Sequence, residues 1–221
     1  MTTIADNLRK LLAEIPPEAK LIAVSKNQSV DAILEAYQAG QRIFGENKAQ
    51  ELITKAPQAP GNIEWHFIGH LQTNKIRQII PYASLIHSVD SFRLLREISR
   101  EAGKQGRNTR CLLQFHIAEE DTKYGLSLEE AEEFLDQWPI PDINHVSLCG
   151  VMGMATFTDD ENVVAREFAH LHEIYLHLKS KYFPLDDSFK EISMGMSDDY
   201  RIAIQHGSTM VRVGTRIFGH R

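Results

Sequence analysis

Short apolar runs alternate with amphipathic stretches along almost the whole chain. Residues 3–15 carry Ile4, Leu8, Leu11, Leu12 and Ile15 at helical spacing and are stopped by Pro16-Pro17, which predicts a leading amphipathic helix. Eight apolar runs then predict buried strands, over 21–26, 42–47, 65–70, 85–91, 110–118, 146–152, 191–196 and 210–214. Seven stretches of helical period separate them, over 30–39, 48–56, 72–80, 92–102, 128–138, 161–181 and 200–206. In the longest of these Val164, Phe168, Leu171, Tyr175 and Leu178 share one face.

An alternation of this regularity, in about 200 residues, predicts a single TIM (β/α)8 barrel with an extra N-terminal helix packed on its outside or bottom. An open, doubly wound sheet is the alternative, but the GxGxxG turn it would carry after the first strand is absent. No linker, low-complexity tract or repeat interrupts the pattern, so one domain is expected over 1–221.

Composition changes this picture little. Hydrophobic content of 43% and charged content of 24% are those of an ordinary globular chain. A formal net charge of −6 argues against a nucleic-acid or anionic-membrane surface as the main partner, though not against a local pocket for one small anion. Cys111 and Cys149 lie in apolar runs without metal spacing and read as buried free thiols. The first fifteen residues have no continuous apolar core, and no run approaches the ~18 residues of a membrane span. A cytoplasmic protein is the expectation.

In a parallel barrel the carboxyl ends of the strands converge on one face, where ligands bind. Lys26, Asn47, His70, Asp90, His116, Met154, Ser197 and Gly214-Thr215 would then surround a single mouth. The strongest local signal is late in the chain. Ser197 and Asp198 are good N-cap residues at a helix start, where free backbone N–H groups can face an anion. Gly214 permits close backbone approach and Thr215 supplies a hydroxyl. TIM barrels often bind phosphate after strands seven and eight. A lysine in a low-dielectric mouth can lose its proton and form a Schiff base with an aldehyde, and Lys26 stands at the end of strand one. Pyridoxal 5′-phosphate is the cofactor that joins a phosphate to an aldehyde.

Residues 21–26, Phe44-Gly45-Glu46-Asn47, residues 65–75 (Trp-His-Phe-Ile-Gly-His-Leu-Gln-Thr-Asn-Lys), 193–197 and 207–219 resemble the YggS/PROSC family of pyridoxal phosphate homeostasis proteins. The likeness spans nearly the whole chain. It implies a barrel related to the N-terminal domain of alanine racemase, with the cofactor held as an aldimine on Lys26. It also implies phosphate contacts from Ser197, Gly214 and Thr215, and includes Asn47 in the cofactor site. The family's role is to bind and supply the cofactor without established turnover, with pyridoxal-phosphate-dependent apo-enzymes as candidate recipients.

Arg212 lies two residues before Gly214 on strand eight and so shares its face. In the related racemase barrels an arginine sits at the pyridine nitrogen, and Arg212 is the match. A permanently protonated guanidinium there would keep the nitrogen unprotonated and weaken the ring as an electron sink. The bland alternative is a surface ion pair. One stretch departs from the family: its asparagine-rich turn after strand five is replaced by His116 to Asp121, although Lys123 and Gly125 still fit. Lys123 is a second candidate aldehyde-reactive lysine, or simply a solvated loop residue. His66, His70, His87 and His116 raise a metal site. On one strand, however, His66 and His70 would lie about 13 Å apart, too far for one ion, and no metal site is expected.

Two rival activities share this chemistry. An amino-acid racemase needs a second acid or base opposite the lysine. Racemases of this fold borrow a tyrosine from a second domain, for which a chain reaching only Arg221 leaves no expected room, and Tyr124 is the tyrosine nearest the mouth. A cofactor-free Schiff-base aldolase would instead use Lys26 directly on a sugar phosphate.

Overall fold

Element starts and stops follow from local chemistry. Thr3 and Ser127 form capping boxes with Asp6 and Glu130, while Ser29, Ser91 and Asp160 each accept a backbone N–H at a helix start. The computed structural model describes residues 3–119 and 124–219. In chain order the elements are α1 (Ile4–Glu14), β1 (Lys20–Val24), α2 (Val30–Gln38), β2 (Ile43–Glu46), α3 (Ala49–Lys55) and β3 (Glu64–Phe67). A 3₁₀ turn at Thr73–Lys75 runs into α4 (Ile76–Ile79), followed by β4 (Ala83–Val89), α5 (Phe92–Lys104), β5 (Thr109–Gln114) and α6 (Leu128–Leu135). The chain continues through β6 (Val146–Met152), α7 (Glu161–Tyr182), β7 (Glu191–Ser193), α8 (Tyr200–Gln205), β8 (Met210–Val213) and α9 (Thr215–Phe218).

All eight expected strands form, each parallel to its neighbours, and β8 pairs with β1 to close the barrel. This is the TIM-barrel architecture expected from the pattern. Several differences are local. The helix expected over 72–80 is a 3₁₀ turn and one α turn, and α9 was not expected at all. Four residues are too short for a periodic signal.

Side chains that alternate along the strands fill two cores. Ile22, Leu85, Leu112, Cys149, Met152 and Met210 pack inside the barrel. The larger core lies between strands and helices and includes Leu8, Phe44, Trp65, Phe168 and Val211. Helix α1 lies on the outside, against α2 and α9. Its Asn7 Nδ2 donates to the Ile217 carbonyl at 3.1 Å, and Tyr200 and Arg201 donate to Glu14. At the amino end of the strands, Lys20 Nζ lies 2.5 Å from Glu191 Oε1 and Thr209 Oγ1 donates to Glu191 Oε2. That end is a structural floor.

Candidate functional site

Pairing of β1 with β8 decides which distant residues meet. Ile22 is in register with Arg212 and Ala23 with Val213. A Cβ built on Gly214 would stand 3.0 Å from the Val24 carbonyl oxygen, so the chain leaving β8 passes tightly beside the chain leaving β1. Lys26 lies two residues beyond the end of β1. It is exposed and makes no hydrogen bond or ion pair with the described residues. Ser197 joins from the segment after β7, its Oγ accepting the Gly214 N–H at 3.3 Å. Arg216 Nε donates to the Ser197 carbonyl at 2.8 Å and ties the same two segments again. Thr215, exposed, opens α9.

The cap expected at Ser197-Asp198 lies elsewhere. Asp199 occupies the N-cap of α8 without capping it through its side chain, because that carboxylate accepts the Met196 N–H instead. Residues 196–199 thus form a turn closed by the Tyr200 N–H on the Met196 carbonyl. Gly195, at φ +93°, enables this turn, since a side chain there would collide with Ala203.

Arg212 is no surface ion pair. It is 5% exposed, inside the barrel, with Nη1 donating to Ser193 Oγ at 2.6 Å and Nη2 to the Gly153 carbonyl at 3.1 Å. Burial pulls its pKa down to about 10, which leaves it charged at neutral pH.

From Arg212 a polar chain crosses the barrel interior. Ser193 Oγ lies 2.8 Å from His87 Nδ1, and His87 Nε2 lies 3.0 Å from His66 Nδ1. With the guanidinium donating to it, the Ser193 hydroxyl can donate to His87. The His87 proton is then on Nε2, directed at His66. His66 Nε2 is buried without a partner among the described residues. Burial, with Arg110 and Lys20 nearby, pushes the His66 pKa down to about 3. Burial first, then His66 and Arg212, takes His87 well below its usual range as well. Both rings are neutral at pH 7. Sequence reasoning missed this chain. The available signal was parity: His66, His87, Ser193 and Arg212 all fall on inward positions once strand boundaries are known.

Asn47, His70 and Tyr124 lie on the rim. His70 stacks on Tyr124 at 4.7 Å and its Nδ1 lies 3.2 Å from Asp90. A cavity of about 480 Å³ is lined by His70, Gln72, Asn74, Asp90 and Arg93, and one of about 320 Å³ by Asn47, Lys48, His70 and Lys75. Lys26, Arg212, Gly214 and Thr215 line neither cavity. The Asn47 Oδ1 is a buried acceptor without a donor among the described residues. Among the described residues no group of three or more acidic, histidine or cysteine side chains is arranged to hold a metal ion. Lys123 lies outside the described residues.

Comparison with known proteins agrees with this fold. The family model described as the N-terminal domain of alanine racemase matches residues 1–221. Alanine racemase of Clostridium difficile 630, in complex with cycloserine, superposes with a TM-score of 0.79 over 99% of this chain and 60% of its own. At 13% identity that is a likeness of fold alone. The class is therefore an alanine-racemase-type barrel.

Within that class the relatives are closer. The pyridoxal phosphate homeostasis protein of Pasteurella multocida (strain Pm70) is 37% identical over 232 residues, 99% of this chain and 98% of that protein. PipY of Synechococcus elongatus PCC7942, solved without PLP, has a TM-score of 0.92 at 36% identity, over 98% of this chain and 100% of PipY. PipY with PLP bound superposes at 0.88. The chain belongs to the pyridoxal phosphate homeostasis protein family.

Proposed function

We propose that this chain binds pyridoxal 5′-phosphate at the carboxyl end of the barrel and acts as a cytoplasmic reservoir for it, passing it to apo-enzymes without a catalytic cycle of its own. When bound, the cofactor supplies an aldehyde that condenses with an amine, with loss of water, and a phosphate that takes hydrogen bonds. Lys26 is the amine in this reading. Ser197, Gly214 and Thr215 hold the phosphate, Arg212 faces the pyridine nitrogen, and Asn47 offers its unpaired carbonyl oxygen to a donor.

The observation that carries this reading is the convergence of β1, β7 and β8. Residues as distant as Lys26, Ser197 and Gly214 sit on adjoining chain segments, in a fold shared with PipY, whose structure with PLP bound is 36% identical to this chain. The donor set also fits the group. A close-approaching glycine backbone and two hydroxyls suit a phosphate, and a fixed cation suits an unprotonated ring nitrogen.

The test is direct. Adding pyridoxal 5′-phosphate should generate the visible absorption band of a Schiff base. Borohydride reduction and peptide mass analysis should then find the pyridoxyl group on Lys26. Labelling mainly on Lys123 or scattered surface lysines would overturn the assignment.

A further inference from the structure

Lys26 itself makes no hydrogen bond or ion pair with the described residues, yet both its neighbours in the chain are tied down. Ser25 is fully buried, its carbonyl accepting from Lys55 Nζ at 2.8 Å and its hydroxyl donating to Glu46 Oε1 at 2.7 Å. Asn27 donates its N–H to Glu51 Oε2 at 2.5 Å. Lys55 Nζ connects the two sides, lying 2.9 Å from Glu46 Oε1 and 2.6 Å from Glu51 Oε2. The backbone before Lys26 and the backbone after it therefore end on one ammonium–carboxylate triad.

Two features set this triad apart from an ordinary ion pair. Asn27 has φ +58°, a left-handed conformation that asparagine tolerates better than other side chains and that turns the chain sharply after Lys26. Glu46 is fully buried and its Oε2 has no partner among the described residues. Burial pushes its carboxyl above the usual range despite Lys55 and Ser25. A buried, incompletely satisfied charge is unfavourable for stability and needs a reason to be kept. Direction supplies one. Ile22 points into the barrel and, by alternation, so does Val24, while Ser25 points out to the triad and Lys26 follows in the turn that leaves the strand. With Ser25 fixed outward and the left-handed Asn27 held by Glu51, the backbone position of Lys26 is set from both sides.

We propose that Lys55, acting with Glu51, is the positioning residue for Lys26: it fixes residues 25 and 27 so that the Lys26 amine is presented to the mouth in a reactive pose. The inference rests on Lys26 being the cofactor's amine. It assigns to an ion cluster behind the strand the preference for that amine over other lysines.

The experiment uses the full chain and compares Lys55→Met, Lys55→Arg and Glu51→Gln with the parent. Three quantities are read: the rate of Schiff-base formation with pyridoxal 5′-phosphate, the site of borohydride trapping, and the affinity for 4-deoxypyridoxine 5′-phosphate, which lacks the aldehyde. Misplacement of a reacting group by about 1 Å can cost up to ~100-fold in rate. Lys55→Met should therefore slow capture by roughly 10- to 100-fold and scatter the label onto other lysines. Affinity for the aldehyde-free analogue should stay within about twofold, and Lys55→Arg, which can still donate to Ser25 and the carboxylates, should recover most of the rate. Glu51, with a side chain 17% exposed, provides the variant that keeps the buried Lys55–Glu46 pair should Lys55→Met fail to fold. It should slow capture with unchanged melting temperature. Parent-like capture on Lys26 in the folded variants, or an equal loss of analogue affinity, overturns the positioning role. A parent protein that carries no label on Lys26 overturns the underlying reading, and the two failures are thereby distinguished.

Discussion

Arg212 and Ser193 are joined by a 2.6 Å hydrogen bond inside the barrel, between the last two strands. A second bond, from Nη2 to the Gly153 carbonyl, holds the guanidinium, and the Arg212 backbone is in register with Ile22 on β1, four residues before Lys26. The charged group is fixed by strand pairing before any ligand arrives. Its removal should be felt by the fold as well as by the cofactor.

Arg212→Leu removes two donors and leaves the Ser193 hydroxyl and the Gly153 carbonyl without them. Hydrogen bonds to a charged group are worth about 1.5–3 kcal/mol each, partly offset here because the arginine no longer has to be desolvated. A net loss of roughly 1–3 kcal/mol in urea unfolding is expected, with a shifted absorption maximum of the bound cofactor. An unchanged spectrum would place the ring nitrogen away from Arg212.

The buried histidines predict a pH dependence. His66 takes up a proton only near pH 3 in the folded chain, and His87 is held down by the same burial, whereas in the unfolded chain both titrate near pH 6.5. Between those limits the unfolded state binds more protons, so stability rises with pH and is lost as pH falls from about 6.5 toward 3. The slope is up to about 1.4 kcal/mol per pH unit for each histidine. Urea titrations at pH 7, 6 and 5 should show a steeper loss for the parent than for His66→Asn, and parallel slopes would contradict the burial argument.

Phosphate recognition should dominate affinity. Thr215→Ala removes one hydroxyl from the segment after β8, and a hydrogen bond to a charged oxygen is worth about 1.5–3 kcal/mol, or roughly 10- to 150-fold in affinity. Pyridoxal 5′-phosphate should bind that much more weakly, while unphosphorylated pyridoxal is barely affected. Equal losses for both ligands would locate the phosphate elsewhere.

Turnover should be absent or slow. Racemization needs a second proton donor opposite the lysine, and a missing general acid or base is worth about 10²- to 10⁴-fold. Tyr124 is 61% exposed and its ring lies against His70 on the rim. Loaded protein incubated with single-enantiomer alanine in deuterated water should incorporate little Cα deuterium. Exchange at about 1 s⁻¹ or faster, lost in Lys26→Ala, would identify an enzyme.

The sequence by itself determined the strands, their order and the leading helix, because a buried parallel strand must be apolar over its length and a surface helix must repeat every 3.6 residues. It also singled out Lys26, Ser197, Gly214 and Thr215, as chemistry-bearing residues at strand ends. Tertiary structure decided what the same residue types do when no local pattern marks them. Arg212 reads alike as a surface cation or a buried donor until β8 closes on β1. His66 and His87, 21 positions apart, become neighbours only through the β3–β4 register. The helix begins at Tyr200 as expected, but its N-cap position falls to Asp199 rather than to Ser197 or Asp198, and the Asp199 carboxylate bonds backward to the Met196 N–H instead of capping. Nothing in the sequence marks Lys55, and only the packing of α3 behind β1 and β2 gives it the Ser25 carbonyl and the Glu46 carboxylate. Periodicity reports which side of an element is buried, whereas the partner that a buried polar atom finds there depends on strands remote in the chain.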